Sequence, residues 1–361
     1  MPLVRHELRA ARLHGNAMSA NSAIEWTDAT WNPVTGCTKV SQGCKNCYAE
    51  RLAPKVFAGQ MMRDHHVEIS PPLPPRPRRF TDVLCHPERL EAPLRWRKPR
   101  RIVVNSMSDL FHEEVWDGFI DKVFAVIALT PQHTYQILTK RPARMLTWAT
   151  RWRGTECVVD PKDLFFDVAV DMLYRNMTYR PWPLPNVWLG VSVEDQASAD
   201  ERIPLLLQTP AAVRWISAEP LLGPVDLSRL DTPVTGAGSS QPAAPPTWRH
   251  VDALSGWDGH LDWKGRGAGV SGPKLDWVVA GGESGPRARA PHPDWFRSLR
   301  DQCAAVGVPF FFKQHGAWRE RAVADPIRLM DPLVNGIFMT RVGKRAAGRL
   351  LDGRTHDEYP A

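Results

Sequence analysis

Hydrophobic and polar positions along this chain recur as a unit: a short apolar run, a polar cluster, then a helical stretch. The apolar runs are Ile24–Trp31, Arg101–Ser106, Thr134–Thr139, Asn186–Ser192, Val213–Ser217, Leu275–Ala280 and Val308–Phe312. Each is short and rich in Val, Ile and aromatic residues, as strands buried on both faces are. Between them, Asp117–Leu129 sets Phe119, Ile120, Val123, Phe124 and Ile127 at helical spacing, and Asp195–Leu207 has the same character. Pro293–Val306 opens on Pro-Asp and stops before Gly307, which is helix punctuation at both ends. Seven strands alternating with helices predict an α/β fold with a parallel sheet. Units roughly 25 to 50 residues apart suit a TIM-like (β/α) barrel or an open partial barrel with loop insertions.

Polar residues follow these runs directly: Ser106-Met107-Ser108-Asp109, Lys140-Arg141, Ser192-Val193-Glu194-Asp195, Ser217-Ala218-Glu219-Pro220, Gly281-Gly282-Glu283-Ser284 and Lys313-Gln314. One Glu at a strand end most often serves a helix N-terminus or faces solvent. Six clusters at the same end of successive strands point instead to the face where a β/α barrel builds its site. Lys140, Glu194, Glu219, Glu283 and Lys313 are therefore expected to line one cavity.

The loop after the first run carries Cys37, Cys44 and Cys47, half of the chain's 6 cysteines. Three thiolates can hold three irons of a four-iron cluster and leave the fourth open for a small molecule. The loop by itself also admits a zinc site closed by a histidine, with His65 and His66 in range, and Cys44-x-x-Cys47 alone would fit a zinc knuckle or redox pair. Cys85, Cys157 and Cys303 stand isolated and read as small buried residues.

Composition narrows the setting. No stretch of 18 apolar residues exists, so no membrane span is expected, and the first 20 residues lack the apolar core of a secretory signal. Clustered thiols without an export signal point to the reducing cytoplasm. The net charge of +7, mostly arginine, fits a polyanionic partner such as nucleic acid, or simply a solvated basic surface. The 15 Trp residues could stack bases or pack in the core.

Three segments break the pattern. Ile69–Arg79 is rich in Pro and Arg, Thr150–Pro185 is irregular, and Asp231–Lys274 reads as a flexible Gly/Pro/Ser insertion. The expected organisation is a loose extension over 1–20 and a barrel-like catalytic domain over 21–316, interrupted at about 150–185 and 231–274. A basic C-terminal extension over 317–361 follows, containing Arg341–Arg349.

The cysteine loop on a β/α scaffold resembles the radical S-adenosylmethionine (SAM) superfamily. Glu25–Cys37, Asn105–His112, Leu138–Pro142, Gly190–Glu194, Ser217–Leu221, Gly281–Gly285 and Phe311–Gln314 resemble more closely a family of largely unknown function. That family occurs in phages and bacteria, and its genes often lie beside a three-Cys-motif partner protein. The spacing here is Cys-x6-Cys-x2-Cys, where the superfamily's is Cys-x3-Cys-x2-Cys, and Asn46 precedes the last cysteine. The resemblance implies a radical SAM-type barrel in which Cys37, Cys44 and Cys47 hold a [4Fe–4S] cluster. It also implies that SAM binds the open iron and that an electron donor supplies the reducing electron. By position, Ser106 and Asp109 would accept from the SAM ammonium. Ser192 and Glu194 suit the ribose hydroxyls, and Lys140, Glu219, Glu283 and Lys313 are the candidate catalytic groups. The rival reading is a metal-stabilised nucleic-acid-binding or scaffold protein without radical chemistry.

Overall fold

The seven apolar runs assemble into one sheet. The computed structural model describes residues 18–19, 22, 24–62, 74–151, 156–157, 180–233, 248–261, 267–322 and 331–361. His65 and His66, and most of the 150–185 insertion, lie outside the described residues. The strands are β1 (Ala29–Trp31), β2 (Arg101–Val104), β3 (Thr134–Thr139), β4 (Val187–Ser192), β5 (Val213–Ala218), β6 (Trp277–Gly281) and β7 (Phe310–Gln314). They lie in sequence order, and every neighbouring pair is parallel. Register partners include Val104 with Ile137, Ile137 with Leu189, Ile216 with Val278 and Val279 with Phe311. A two-residue strand, Met18–Ser19, pairs antiparallel with β1. The sheet curls but stays open, so the fold is an α/β half-barrel flanked by helices.

Alternation along each strand divides the core in two. The outer face (Ile102, Val104, Ile137, Leu189, Val191, Ile216, Val278, Ala280) packs on α2 (Asp117–Leu129), α4 (Gln196–Gln208) and α5 (Pro293–Val306), with α3 (Pro142–Thr150) beside α4. The inner face carries a second cluster of Trp26, Val103, Trp215, Trp277, Val279 and Phe311, joined by Leu138, Trp188 and Tyr359. Its indoles meet edge-on or tilted, at 5.1 Å for Trp26–Trp215 and 5.3 Å for Trp215–Trp277, spacings that favour aromatic pairs. Gly190 makes room for them, since a Cβ there would overlap the Trp215 ring. At the same inner parity, the strand C-termini turn small and polar at Ser192, Ser217 and Gly281. The half-barrel thus has an indole floor and a polar mouth.

The run Ile24–Trp31 is strand only at its end, because Trp26 turns inward to fill the floor. Thr27 donates to the Arg101 carbonyl at 2.8 Å, and the Arg101 amide donates to Asp28 at 2.8 Å. Elsewhere the expected helix signals hold. Asp195 forms a capping box with Ser198 at the start of α4, and α5 ends on Gly307 in the left-handed region.

Two segments differ from their sequence reading. The 231–274 stretch, expected to be flexible, contributes to an antiparallel sheet of four strands, Leu230–Pro233, Trp248–Asp252, Trp257–Leu261 and Gly267–Ser271. Residues 234–247 and 262–266 of this stretch lie outside the described residues, but Gly259, Gly267 and Gly269 lie within strands and Gly256 in a turn. The C-terminal tail folds back beside the open edge of β7. The Phe312 amide donates to the His356 carbonyl at 2.9 Å, and Trp277 Nε1 donates to the Glu358 carbonyl at 2.8 Å. Tyr359 stacks on Trp277 at 5.3 Å while the Arg101 guanidinium sits 4.1 Å over its ring, so the tail ties β6 and β7 to β2 beneath the floor. Among the described residues no helix is long and apolar enough to cross a membrane.

Candidate functional site

The mouth is organised around the cysteine loop. The chain leaves β1 knitted to the loop after β2. Asn32 Oδ1 accepts from the Met107 amide at 3.1 Å and Ser106 Oγ at 3.2 Å, and Asn105 Oδ1 accepts from the Val34 amide at 3.1 Å. A short 3-10 turn, Gln42–Cys44, follows, and Cys47 is the N-cap of α1 (Tyr48–Val56). Residues at the strand C-termini then hold this loop at several points.

The first clamp is Arg141, after β3. Its guanidinium donates to Glu113 at 2.9 Å, to Asp109 at 3.2 Å, to Thr38 Oγ1 at 2.9 Å and towards Cys37 Sγ at 3.7 Å. Asp109 is buried, and its oxygens accept from Thr139 Oγ1 (2.7 Å), the Phe111 amide (3.0 Å), the Lys140 amide (3.1 Å) and Arg141. A carboxylate offers about four acceptor sites, so Asp109 is filled from within the chain. His112 Nδ1 accepts from the Glu114 amide, which leaves Nε2 to donate to Thr38 Oγ1 at 2.8 Å. Burial and the nearby Arg141 lower its pKa, keeping the ring neutral.

The second clamp is Glu194, after β4 and only 1% exposed. It accepts from Lys140 Nζ at 2.5 Å, Ser41 Oγ at 3.0 Å and Arg202 at 3.0 Å. Burial alone would raise its pKa, but the two cations and the hydroxyl more than reverse this and hold it below the usual carboxylate range. Gly43 lies flat on this carboxylate, where any Cβ would overlap Glu194 Oε1.

The third clamp is Glu283, after β6. It takes Arg289 through side chain and amide at 2.6 to 2.9 Å and Asn46 at 3.0 Å. Arg289 also donates to the Gln42 carbonyl at 3.0 Å. These partners outweigh burial and lower the Glu283 pKa. Glu219, after β5, pairs with Lys313 from β7 at 2.8 Å and accepts from Gln314 at 3.2 Å. This pair does not touch the cysteine loop directly; Tyr48, next to Cys47, lies within electrostatic reach of Glu219. Ser192 is buried on the inner face, and its carbonyl accepts from Arg202 at 2.8 Å.

The thiols share the mouth without being gathered into a preformed metal site. Burial pushes the Cys37 thiol up to about 11, with Asp109 and Cys44 adding to the shift and Arg141 opposing it. The Cys47 thiol is also raised, by burial first, against the Glu50 and Ala49 amides of α1. Cys44 therefore lies within electrostatic reach of both neighbours. Among the described residues no group of three or more His, Cys, Asp and Glu side chains is arranged to hold a metal ion. The donor chemistry nonetheless suits an iron–sulfur cluster, with three thiols in one loop and a guanidinium against one sulfur. Cys303 is fully buried in the outer core.

Several contributors escape a reading by strand ends alone. Arg202 is on α4, while Ser41, Gly43 and Asn46 are spacer residues of the cysteine loop. Arg141 carried a signal, because it directly follows Lys140 at a strand end.

Comparison with curated proteins and with solved structures finds no match. A family model does match, and it covers residues 21–360, which is nearly all of the mouth, the sheet and the returning tail. The chain belongs to the family described as protein of unknown function (DUF5131).

Proposed function

We propose that this chain is a radical SAM-like iron–sulfur enzyme whose reaction space is the mouth of the half-barrel. The observation that carries this reading is the fixing of one three-cysteine loop across the strand C-termini by Arg141, Glu194 and Glu283. Cys37, Cys44 and Cys47 would hold a [4Fe–4S] cluster. When bound, such a cluster supplies the electron that cleaves SAM reductively, with an external donor as its source. Arg141 favours the thiolate of Cys37 by placing positive charge against the sulfur. The indole floor closes the half-barrel from below and keeps water from that side of the mouth.

The filled carboxylates refine the roles of the other residues. Asp109, Glu194, Lys140 and Glu283 act as positioning residues, because their polar atoms are spent on the cysteine loop (Glu194, Glu283) or on the groups that hold it (Asp109 on Arg141, Lys140 on Glu194). Ser106 and Ser192 remain the candidates for polar contact with SAM. The Glu219–Lys313 pair, within electrostatic reach of Tyr48 but not bonded to the loop, is the candidate for contact with a substrate. The three-Cys-motif partner belongs to the same proposal.

A second reading is a scaffold or nucleic-acid-binding protein without radical chemistry. It is favoured by the neutralisation of every clamp carboxylate within the chain. Anaerobic reconstitution with iron and sulfide, then reduction with SAM present, separates the two. The proposal expects 5′-deoxyadenosine from the wild-type chain and none from Cys44→Ala. No 5′-deoxyadenosine from an iron-loaded wild-type chain would overturn it.

A further inference from the structure

The outer face of α1 is unusual for a helix beside a buried site. Tyr48, Arg51, Leu52 and Lys55 fall at i, i+3, i+4 and i+7, one stripe of the helix, and all four are exposed. Tyr48 is 46% exposed, yet its hydroxyl is tied to the Ser106 carbonyl at 2.5 Å. The ring is thus held in one orientation at the edge of the mouth. The helix's one acidic residue, Glu50, is taken by Lys39 at 2.9 Å.

The loop after β6 adds cations to this stripe. Arg51 reaches across to Gly285, where its guanidinium fills the space a Cβ would need. The Gly285 carbonyl accepts from Arg341 at 2.7 Å. Arg287 is exposed, and its carbonyl accepts from Asn46 of the cysteine loop at 2.7 Å. Among the described residues no carboxylate lies within ion-pair distance of Arg51, Arg287 or Arg341, although most other arginines of the mouth are paired. Arg51 from α1 and Arg341 from the strand Ile337–Arg341 thus converge on the loop that carries Arg287. Guanidinium groups gathered there without counter-charge repel one another, a repulsion that a chain of phosphates would relieve.

We infer that Tyr48, Arg51 and Lys55 of α1, with Arg287 and Arg341, bind a single-stranded nucleic acid and lead it over the mouth. Arg51 and Arg341 meet at Gly285, Arg287 lies two residues further along that loop, and Lys55 one helical turn beyond Arg51, so one phosphate backbone would meet several cations. The fixed, exposed ring offers a stacking platform, which needs an unpaired base. A base must also leave its stack before chemistry in a recessed mouth can reach it. The role of this strand as substrate rests on the reading of the mouth as a reaction space, whereas its binding does not.

Fluorescence anisotropy of end-labelled 15-nucleotide oligothymidylate and oligouridylate with the full chain tests the inference. Between 50 and 200 mM salt, log K should fall against log salt with a slope of about −2 to −3, from roughly −0.7 per phosphate neutralised. Arg51→Ala, Arg287→Ala and Arg341→Ala should each weaken binding and flatten the slope by about 0.7. Tyr48→Ala should weaken binding about 5- to 100-fold, while Tyr48→Phe, which keeps the ring, should bind within about twofold of wild type. Arg95→Ala, a change in an exposed arginine already paired with Glu91, should bind as wild type does. Three results would overturn the inference: no binding at 50 mM salt, wild-type binding in the triple arginine variant, or tighter binding of a duplex of the same length. Iron content and 5′-deoxyadenosine release from the same preparations separate the two readings. Binding without 5′-deoxyadenosine sinks only the enzymatic one, and iron-loaded, SAM-cleaving protein without binding sinks only this one.

Discussion

Glu194 is the residue on which the mouth turns. Its position after β4 is legible in sequence, because polar groups recur at the ends of parallel strands. Its partners are not. Ser41 lies 153 residues away and Lys140 lies 54 away, and no local spacing encodes pairs at such separation, while Arg202, 8 residues on in α4, bears no strand-end signal. The same limit explains why Asp109 and Glu194 read as free acceptors from sequence and are filled in the fold. Glu194→Gln removes the charge between two cations and should cost about 3–5 kcal/mol, the range for breaking a buried pair. A urea midpoint equal to wild type would show that the carboxylate braces nothing. Gly43→Ala is a separate test of the clamp, since its Cβ would overlap Glu194 Oε1. Overpacking of this kind costs about 1–3 kcal/mol. Iron uptake should fall with the displaced loop, and a variant of wild-type stability and iron content would contradict the close packing.

At the scale of elements, the strands were the most legible part of the chain. Runs such as Arg101–Val104 and Trp277–Gly281 are apolar at nearly every position because both sheet faces are covered, and no helix face has that pattern. The indole floor was hidden, since Trp188, Trp215 and Trp277 looked like any other core aromatics until the curl of the sheet brought them together. The returning tail was equally hidden. Its basic residues suggested contact with phosphate or a solvated end, and its contribution to the sheet comes from Tyr359 and the backbone of His356–Glu358. Removing residues 356–361 should therefore destabilise the sheet although the tail is short. Tyr359→Ala alone should lose about 3–5 kcal/mol if the ring is packed as a core aromatic would be. Thermal melting of both variants checks this, and an unchanged midpoint for the truncation would mean that the tail only decorates the edge.

For the whole molecule, the buried histidines set an acid limit. Burial, with Arg89 adding to it, lowers His86 to about 4, and burial is also the first cause of the lowered values of His112, His133, His315 and His356. An unfolded histidine takes its proton near pH 6.5. Below that pH the unfolded chain binds more protons than the folded one, so stability is full above about 6.5 and is lost as pH falls towards 4. The lowered carboxylates Glu194 and Glu283 extend the loss to more acid pH. The melting temperature should fall steadily from pH 7 to pH 4.5, and a flat profile there would mean that these rings are protonated in the fold. That the loop cysteines serve one cluster is tested most directly by iron and acid-labile sulfide per chain after anaerobic reconstitution. The expected result is about four of each in the wild type and in Cys303→Ala, with sharp losses in Cys37→Ala, Cys44→Ala and Cys47→Ala. Wild-type iron in Cys44→Ala, or a single zinc without labile sulfide in the wild type, would contradict it.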